Sequence, residues 1–302
     1  MRVRRSGGTA LVIVAMVAGL AGCDSLGLPA IAPPVATDPA PARQHAHDVL
    51  ARWADAVAKI GSKATVTPVG ELTGQIGDWE AAVGENNKLA LMAGHIASIK
   101  PLGDVAPPDG KVTFDDGTTV EVPLLAAQEA LGAMGSVTDT ACEGCRDLLI
   151  TDATLSSGPI QTTRGPATAP VWEFTVQGSD VKVTRVAIAN PVVVGQLEGD
   201  SGLGLAIDSA TGTVNGNELT VAFVGAPDPG NQPCGEDYTS EAIESDLAVT
   251  VIVTRHLHVG EVQACSAVGA RRTATATLAK PLGDRTVLDF QSGTPVPLVV
   301  LP

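Results

Sequence analysis

From residue 146 onward, the sequence consists of short runs of β-branched and apolar residues separated by turn residues. Runs such as VWEFTV (171–176), LAVTVIV (247–253) and TVLDF (286–290) are bounded by Gly, Pro, Asn and Asp. Many short strands with such turns are typical of an antiparallel sandwich or barrel, and a segment of this length can bury its own core. We therefore predict an antiparallel β-sandwich or barrel-like domain over residues 138–302.

The preceding stretch, residues 44–137, mixes helix and strand signals. Helical spacing or strand alternation marks four segments: QHAHDVLARWADAVAKIG (44–61), NNKLALMAGHIASIKP (86–101), KVTFDDGTTVEV (111–122) and PLLAAQEALGAMG (123–135). The third segment turns at Asp116 and Gly117 and is predicted as a hairpin. The other three are predicted helices. This small unit of helices and a hairpin makes the fold class of the whole chain α+β.

The first residues have the features of a targeting segment. Three arginines within the first five residues precede an apolar run over residues 10–20, which suits a signal peptide and is short for a membrane span. The run ends in LAGC (20–23), which resembles the lipobox of bacterial lipoproteins, whose cysteine is diacylglycerylated and becomes the new N-terminus. The resemblance implies that residues 1–22 are a signal peptide, that Cys23 carries the lipid, and that the protein lies at the extracytoplasmic face of the cell membrane.

Residues 23–43 form a segment rich in proline and alanine. Because such a composition is extended and cannot bury a core, we predict a stalk behind the lipidated cysteine. The formal net charge of −14 argues against binding to nucleic acid and against electrostatic attraction to anionic lipid. The expected partners are the membrane, through the diacylglyceryl group of Cys23, and an envelope protein, a wall polymer or a small ligand. No cofactor is predicted.

Besides Cys23, the chain contains four cysteines: Cys142, Cys145, Cys234 and Cys265. An even number in an exported chain favours disulfides, and four cysteines allow three pairings. Proximity favours a short bridge between the first two and a long bridge between the last two. Loop entropy gives ~1.9 kcal/mol for the short bridge and ~3.7 kcal/mol for the long one, so the long bridge is the expected structural constraint.

The pair in CEGC (142–145) is also compatible with thiol redox chemistry. Thioredoxin-like pairs lie at the start of a helix, which lowers the thiol pKa, whereas the following RDLLITDATL (146–155) is typical of a strand. A zinc site would need a second closely spaced pair, which Cys234 and Cys265 do not form. We favour an inert disulfide and keep redox activity as the alternative.

The stretch GDSG (199–202) resembles the nucleophile loop of chymotrypsin-like proteases, and His95, Asp104 and Ser201 follow that family's chain order. In those enzymes the histidine takes the serine proton, and the backbone near the serine forms the oxyanion hole. Here Leu203 stands where the family has a second glycine, and the histidine lies in a helical pattern. We therefore favour a turn over a hydrolase site.

Two further clusters are weak candidates. In RHLH (255–258), His256 and His258 share one face of a predicted strand near Glu261, which could hold a metal, although further ligands are not evident. The second cluster is an acidic stretch, predicted as a solvated loop, formed by Glu236, Asp237, Glu241, Glu244 and Asp246. Its spacing matches no EF-hand calcium loop, and its first three members are kept as candidate binding residues.

Trp172 and Phe174 alternate within VWEFTV, so both side chains project from the same side of a strand. If that side faces solvent, the two rings form a binding patch. If it faces the protein interior, they belong to the core, which is the interpretation that we favour.

Three segments, residues 75–94, 164–176 and 272–289, resemble stretches of exported lipoproteins from high-GC Gram-positive bacteria. This resemblance implies an exported location and transfers no catalytic residue. The sequence as a whole predicts a lipid-anchored cell-envelope lipoprotein that acts as a non-catalytic binding or interaction protein. The alternative is an exported enzyme, either a thiol-redox protein or a hydrolase with an unrecognised site.

Overall fold

The computed structural model describes residues 39–61, 66–79, 84–135, 142, 144–200, 202–260 and 264–301. These ranges contain three helices and fifteen strands: α1 (Ala40–Ile60), β1 (Pro68–Val69), β2 (Thr73–Ile76), α2 (Gly84–Met92), β3 (Ile96–Ser98), β4 (Gly110–Phe114), β5 (Thr119–Val122), α3 (Ala127–Gly135), β6 (Leu148–Thr162), β7 (Gly165–Val176), β8 (Lys182–Val186), β9 (Ser209–Gly212), β10 (Glu218–Gly225), β11 (Glu236–Glu244), β12 (Ala248–Leu257), β13 (Ala270–Thr277), β14 (Thr286–Leu288) and β15 (Leu298–Val300). The predicted signal peptide, Cys23 and the stalk up to residue 38 lie outside the described residues.

The first sheet has eight strands, β1 to β8, and is built on the long antiparallel hairpin of β6 and β7. One end of β7 pairs with β4, which is followed by β5, and the other end pairs with β8, which is followed by β2. The strands β1 and β3 pair with opposite ends of β6. Phe174, Leu148 and Ile150 form the centre of its core, to which α3 adds Leu131 and Met134.

The second and third sheets form a sandwich. The second sheet has the order β13-β10-β9-β15, and the third has the order β11-β12-β14. Val221 and Phe223 of β10 pack in one core with Val249, Val251 and Val253 of β12. Because successive side chains alternate across a strand, these positions define the inner faces of the two sheets.

Helix α1 covers the outer face of the third sheet. Trp53 and Leu50 pack with Ala248, and Ala46 packs with Ile252 in an adjoining cluster. The strand β12 is therefore buried on both faces from Ala248 to Val253, which explains why LAVTVIV is a continuous apolar run rather than an alternating one.

The predicted α+β class is confirmed, with helices toward the N-terminus and mainly antiparallel sheets toward the C-terminus. Of the two predicted β architectures, the sandwich is the one observed, since the described strands form no closed barrel. Strands from both sides of the predicted boundary at residues 137 and 138 share the first sheet, and α1 packs on the third sheet. Helix α1 already begins at Ala40, inside the segment predicted as a stalk.

The helix predicted over residues 86–101 is shorter than expected. It ends at Met92, and Gly94 adopts a positive φ of 68°, a conformation that terminates helices and favours glycine. Residues Ile96–Ser98 then pair in parallel with β6. The apolar spacing thus continued past the point where the glycine ends the helix. The predicted hairpin around Gly117 is confirmed, and the helix predicted from Pro123 is present but begins at Ala127.

Candidate functional site

The sandwich has two ends that differ in how they are filled. We call the end formed by Gly225, Glu236, Leu257 and Ala270 the open end, since β10 and β12 end there and β11 and β13 begin there. A cavity of about 500 Å³, the open-end cavity, lies there. Its lining includes Leu205, which packs against the core between the sheets. The cavity thus continues the inter-sheet space of the sandwich.

The predicted long disulfide forms one wall of this cavity. Cys234 and Cys265 are bonded, with their Cα atoms 5.6 Å apart, and both line the cavity. The bridge joins the loop before β11 to the loop between β12 and β13. Gly235 is buried at this point, and a Cβ atom there would overlap the carbonyl of Pro229. The loop before β11 is therefore held in a narrow range of positions by the bridge and by the glycine.

Apolar side chains surround the cavity and remain accessible to solvent. Val224, Leu257 and Val268 all line it and are 61%, 63% and 64% exposed. Single exposed apolar residues are common, whereas a contiguous group around a concave surface marks an interaction site. This apolar rim is the feature that distinguishes the open end from an ordinary loop cluster.

The hydroxyl of Tyr238 connects two residues that line the cavity, Ala226 and Glu236. The Tyr238 hydroxyl donates to Glu236 Oε2 at 2.8 Å and accepts from the Ala226 amide at 2.7 Å. Its ring packs edge-on against Phe223, and the Arg272 guanidinium lies 5.7 Å from the ring centroid. Burial, and then the hydrogen bond to Glu236, raise the pKa of Tyr238 above its ordinary value. The phenol is therefore held in its neutral form.

Arg255 also lines the cavity and has a different environment. It lies opposite Tyr238 in the β11–β12 ladder and follows Val253 on the inner face of β12. Among the described residues, none forms a hydrogen bond or an ion pair with its guanidinium, and the side chain is exposed. The open-end cavity thus contains one cationic group whose donors are all available.

The two candidate metal ligands bond to separate partners. His258 lines the cavity, and its Nδ1 lies 2.8 Å from the carbonyl of Gly230. Because a carbonyl only accepts, this nitrogen carries a proton and donates to Gly230. His256 Nε2 lies 2.9 Å from Thr239 Oγ1. Within the described ranges, no three His, Cys, Asp or Glu side chains form a metal-binding group, and Glu261 lies outside those ranges.

Most of the acidic stretch is a strand rather than the predicted loop. Residues Glu236–Glu244 form β11 and pair with β12 over their whole length, and Asp246 follows in the turn before β12. Only Glu236 of the acidic residues lines the open-end cavity among the described residues. Glu241 accepts from Arg43 Nε of α1 at 2.8 Å, and Asp237 accepts from the Gly230 amide at 3.0 Å. These last two candidate binding residues therefore have structural partners.

Trp172 and Phe174 lie on the same side of β7, as the alternation predicts, and that side faces the core of the first sheet. Both are buried, and Trp172 Nε1 donates to the carbonyl of Leu125 at 2.9 Å. The structure therefore places these rings in the core, as the favoured interpretation had it.

The described residues of CEGC and GDSG, and the histidine predicted to act with GDSG, have the following neighbours. Cys142 and Cys145 are bonded and precede strand β6, not a helix. His95 Nδ1 lies 3.7 Å from Asp147 Oδ1, not beside Asp104. Asp200 accepts from the Gly202 amide at 2.8 Å, which forms a turn, and Ser201 lies outside the described residues.

A second cavity, of about 330 Å³, lies beside Arg164 and Phe114. Here the guanidinium stacks on the Phe114 ring, 4.6 Å from its centroid, and its Nε lies 3.8 Å from Asp284 Oδ1. The cation of this cavity therefore already has partners, unlike Arg255 at the open end. We therefore take the open-end cavity as the candidate site.

No protein family model, curated protein or solved structure matches the chain. Within the part of the chain that the structure describes, no helix has both the length and the apolar character needed to cross a membrane. The evidence on function therefore comes from the geometry of the open end. The sequence analysis identified Glu236 and His258 there but missed Arg255, Tyr238 and the apolar rim.

Proposed function

We propose that the chain is an exported, lipid-anchored protein of the cell envelope that binds a small ligand with an apolar body in the open-end cavity. The apolar rim of Val224, Leu257 and Val268 around this cavity is the observation that carries the proposal. Binding sites for small molecules are concave, range over about 300–1,000 Å³, and combine mostly apolar walls with a few polar groups. The open-end cavity has this size and composition.

The location rests on the N-terminal sequence. The arginines, the apolar run and the lipobox-like LAGC (20–23) occur in the order required for export and lipidation. Two acyl chains on Cys23 would anchor the protein stably, since each buried methylene contributes about 0.8 kcal/mol. The two disulfides agree with an oxidising compartment.

The binding proposal is tested with the full chain carrying Cys23→Ser, purified without detergent, and a neutral dye whose fluorescence rises in apolar surroundings. We expect saturable binding, weakened about tenfold by Leu257→Ser, because the substitution removes one apolar wall. The matched control is Val105→Ser, since Val105 is 83% exposed and lies in the loop before β4. Equal binding by all three proteins would contradict the proposal.

The anchoring proposal is tested separately with Cys23→Ala. We expect this variant to lose metabolic labelling by fatty acid and to move from the detergent phase to the aqueous phase in phase partitioning, or to stay unprocessed. Unchanged labelling and partitioning would show that Cys23 is not the lipidation site.

A further inference from the structure

The chemistry of the ligand is indicated by Arg255, whose guanidinium has no partner among the described residues. Its neighbours on β13 differ, since Arg271 donates to Ser209 Oγ at 3.0 Å and Arg272 donates to the carbonyl of Pro227 at 3.2 Å. In a chain with a formal net charge of −14, carboxylates that could pair with an arginine are plentiful. Among the described residues, Arg255 is therefore an arginine that lines a cavity and has no protein partner.

The β-ladder places this cation between apolar surfaces. Val253 is buried in the sandwich core, Arg255 and Leu257 follow on the same side of the strand, and Tyr238 lies opposite Arg255. A bound molecule would therefore meet the guanidinium close to the apolar rim. The planar guanidinium carries several donors and no acceptor, and it binds carboxylate oxygens in pairs.

The remaining polar groups of the cavity restrict the charge of the ligand. Glu236 also lines the cavity and brings a negative charge, and the Nδ1 atom of His258 is already bonded to the carbonyl of Gly230. The carboxylate of Glu236 disfavours a second negative charge on the ligand. A head group with a single negative charge fits one free guanidinium better than a dianion does.

We propose that the open-end cavity binds an amphiphile with an apolar tail and a single carboxylate, with the carboxylate at Arg255 and the tail against Leu257 and Val268. This inference rests on the proposed function, because it names the ligand class of the same cavity. A free long-chain acid and an acidic phospholipid share an apolar tail and an anionic head group, so the experiment varies the head group and keeps the tail constant.

The probes are dodecanoate, dodecanol and a dodecyl-bearing acidic phospholipid, each below its aggregation concentration. They are titrated calorimetrically into the full chain carrying Cys23→Ser. We expect dodecanoate to bind at least about tenfold more tightly than dodecanol, since hydrogen bonds between charged groups are the strong ones. Arg255→Gln should remove this advantage and leave dodecanol binding unchanged. Arg271→Gln is the matched control, and it should change neither affinity.

The outcomes separate the two proposals. If dodecanol and dodecanoate bind with equal affinity, or if Arg255→Gln does not weaken dodecanoate binding, the head-group inference is wrong while the apolar cavity stands. If none of the probes and no neutral dye binds, the proposed function fails as well. The phospholipid could also bind more tightly than dodecanoate, with this preference lost in Arg255→Gln. Arg255 would then bind the phosphate of a membrane lipid, and the monocarboxylate assignment would be wrong.

Discussion

The two ends of the sandwich use the same kinds of residues in opposite ways. We call the end at Glu244, where β11 finishes, the closed end. There Glu244 accepts from Arg285 Nη1 at 2.6 Å and from the backbone amide of Ala279 at 2.6 Å. At the open end, where β11 begins, Glu236 is bonded to Tyr238, and Arg255 has no partner among the described residues. A carboxylate and an arginine are thus combined at one end and kept apart at the other.

The difference arises from the loops rather than from the strands. At the closed end, Arg285 is 8% exposed and also donates to the carbonyls of Leu282, Lys280 and Pro281. The loop between β13 and β14 therefore folds into the end of the sandwich and fills it. At the open end, the bridge from Cys234 to Cys265 forms the cavity wall. One end is closed by the partly buried ion pair of Arg285 and Glu244. The other end keeps a cavity that the disulfide borders.

The pKa shifts also differ between the closed end and the open end. Burial opposes the ionisation of Glu244, but the hydrogen bonds from Ala279 and Arg285 and the charge of Arg285 outweigh it, so the pKa of Glu244 lies below its ordinary value. At the open end, burial and the bond to Glu236 raise the pKa of Tyr238. The carboxylate and the arginine of the closed end therefore stabilise each other, while Arg255 at the open end has no partner among the described residues.

The largest effect is expected from Arg285→Met. The substitution leaves the partly buried Glu244 without its arginine and also removes the bonds from Arg285 to three loop carbonyls, and together these losses cost about 3–5 kcal/mol. Urea unfolding followed by tryptophan fluorescence measures the loss. The control is Arg255→Met at the open end, which should change the free energy of unfolding by less than about 0.5 kcal/mol. Similar losses in both variants would mean that Arg285 and Arg255 contribute equally to stability, which contradicts the comparison of the two ends.

The next largest loss of stability is expected when the long disulfide is removed. Cys234→Ala/Cys265→Ala should lower the free energy of unfolding by about 3.7 kcal/mol, because the bridge spans a sequence separation of 31 and constrains a long loop in the unfolded chain. The matched pair, Cys142→Ala/Cys145→Ala, spans a separation of only 3 and should lose at most about 1.9 kcal/mol. Urea unfolding measures both, and the reverse order would contradict the structural role of the long bridge.

A smaller change in stability, confined to alkaline pH, is expected from the ionisation of Tyr238. The folded state raises the pKa of this phenol, so the stability that its neutral form contributes is present below the unfolded pKa of about 10 and is lost as the pH rises through the higher folded pKa. Tyr238 is the sole tyrosine of the chain, so ultraviolet titration of tyrosinate reports it alone. Glu236→Gln should lower this pKa. An unchanged titration would show that Glu236 does not hold the phenol.

Much of the fold could be predicted from local sequence, since turn residues between short apolar runs determine an antiparallel β protein. The errors occurred where local patterns are weak. The acidic stretch was predicted as a loop because polar residues occupy both faces of β11, so hydrophobic alternation is faint there. The helix before Gly94 was extended too far because apolar spacing continued into β3.

The site could be predicted only in part, because it depends on long-range register. Glu236 and His258 belong to recognisable clusters, and the pairing of Cys234 with Cys265 followed from proximity. The position of Arg255 opposite Tyr238 requires the alignment of β11 with β12, which a single sequence does not specify. The placement of α1 on the third sheet joins residues about 200 positions apart, as the contact between Arg43 and Glu241 illustrates, with a separation of 198.

The smallest effect on stability is expected from Leu257→Ser. Leu257 is 63% exposed at the open end, so little apolar area is lost from the folded state, and the free energy of unfolding should change by less than about 0.5 kcal/mol. Val253→Ser, on the same side of the same strand, is the comparison. Val253 is buried in the sandwich core, so this variant should lose about 2–4 kcal/mol from a cavity and a buried hydroxyl. Thermal and urea unfolding measure both, and a large loss in Leu257→Ser would mean that the rim is part of the core rather than a surface kept for a ligand.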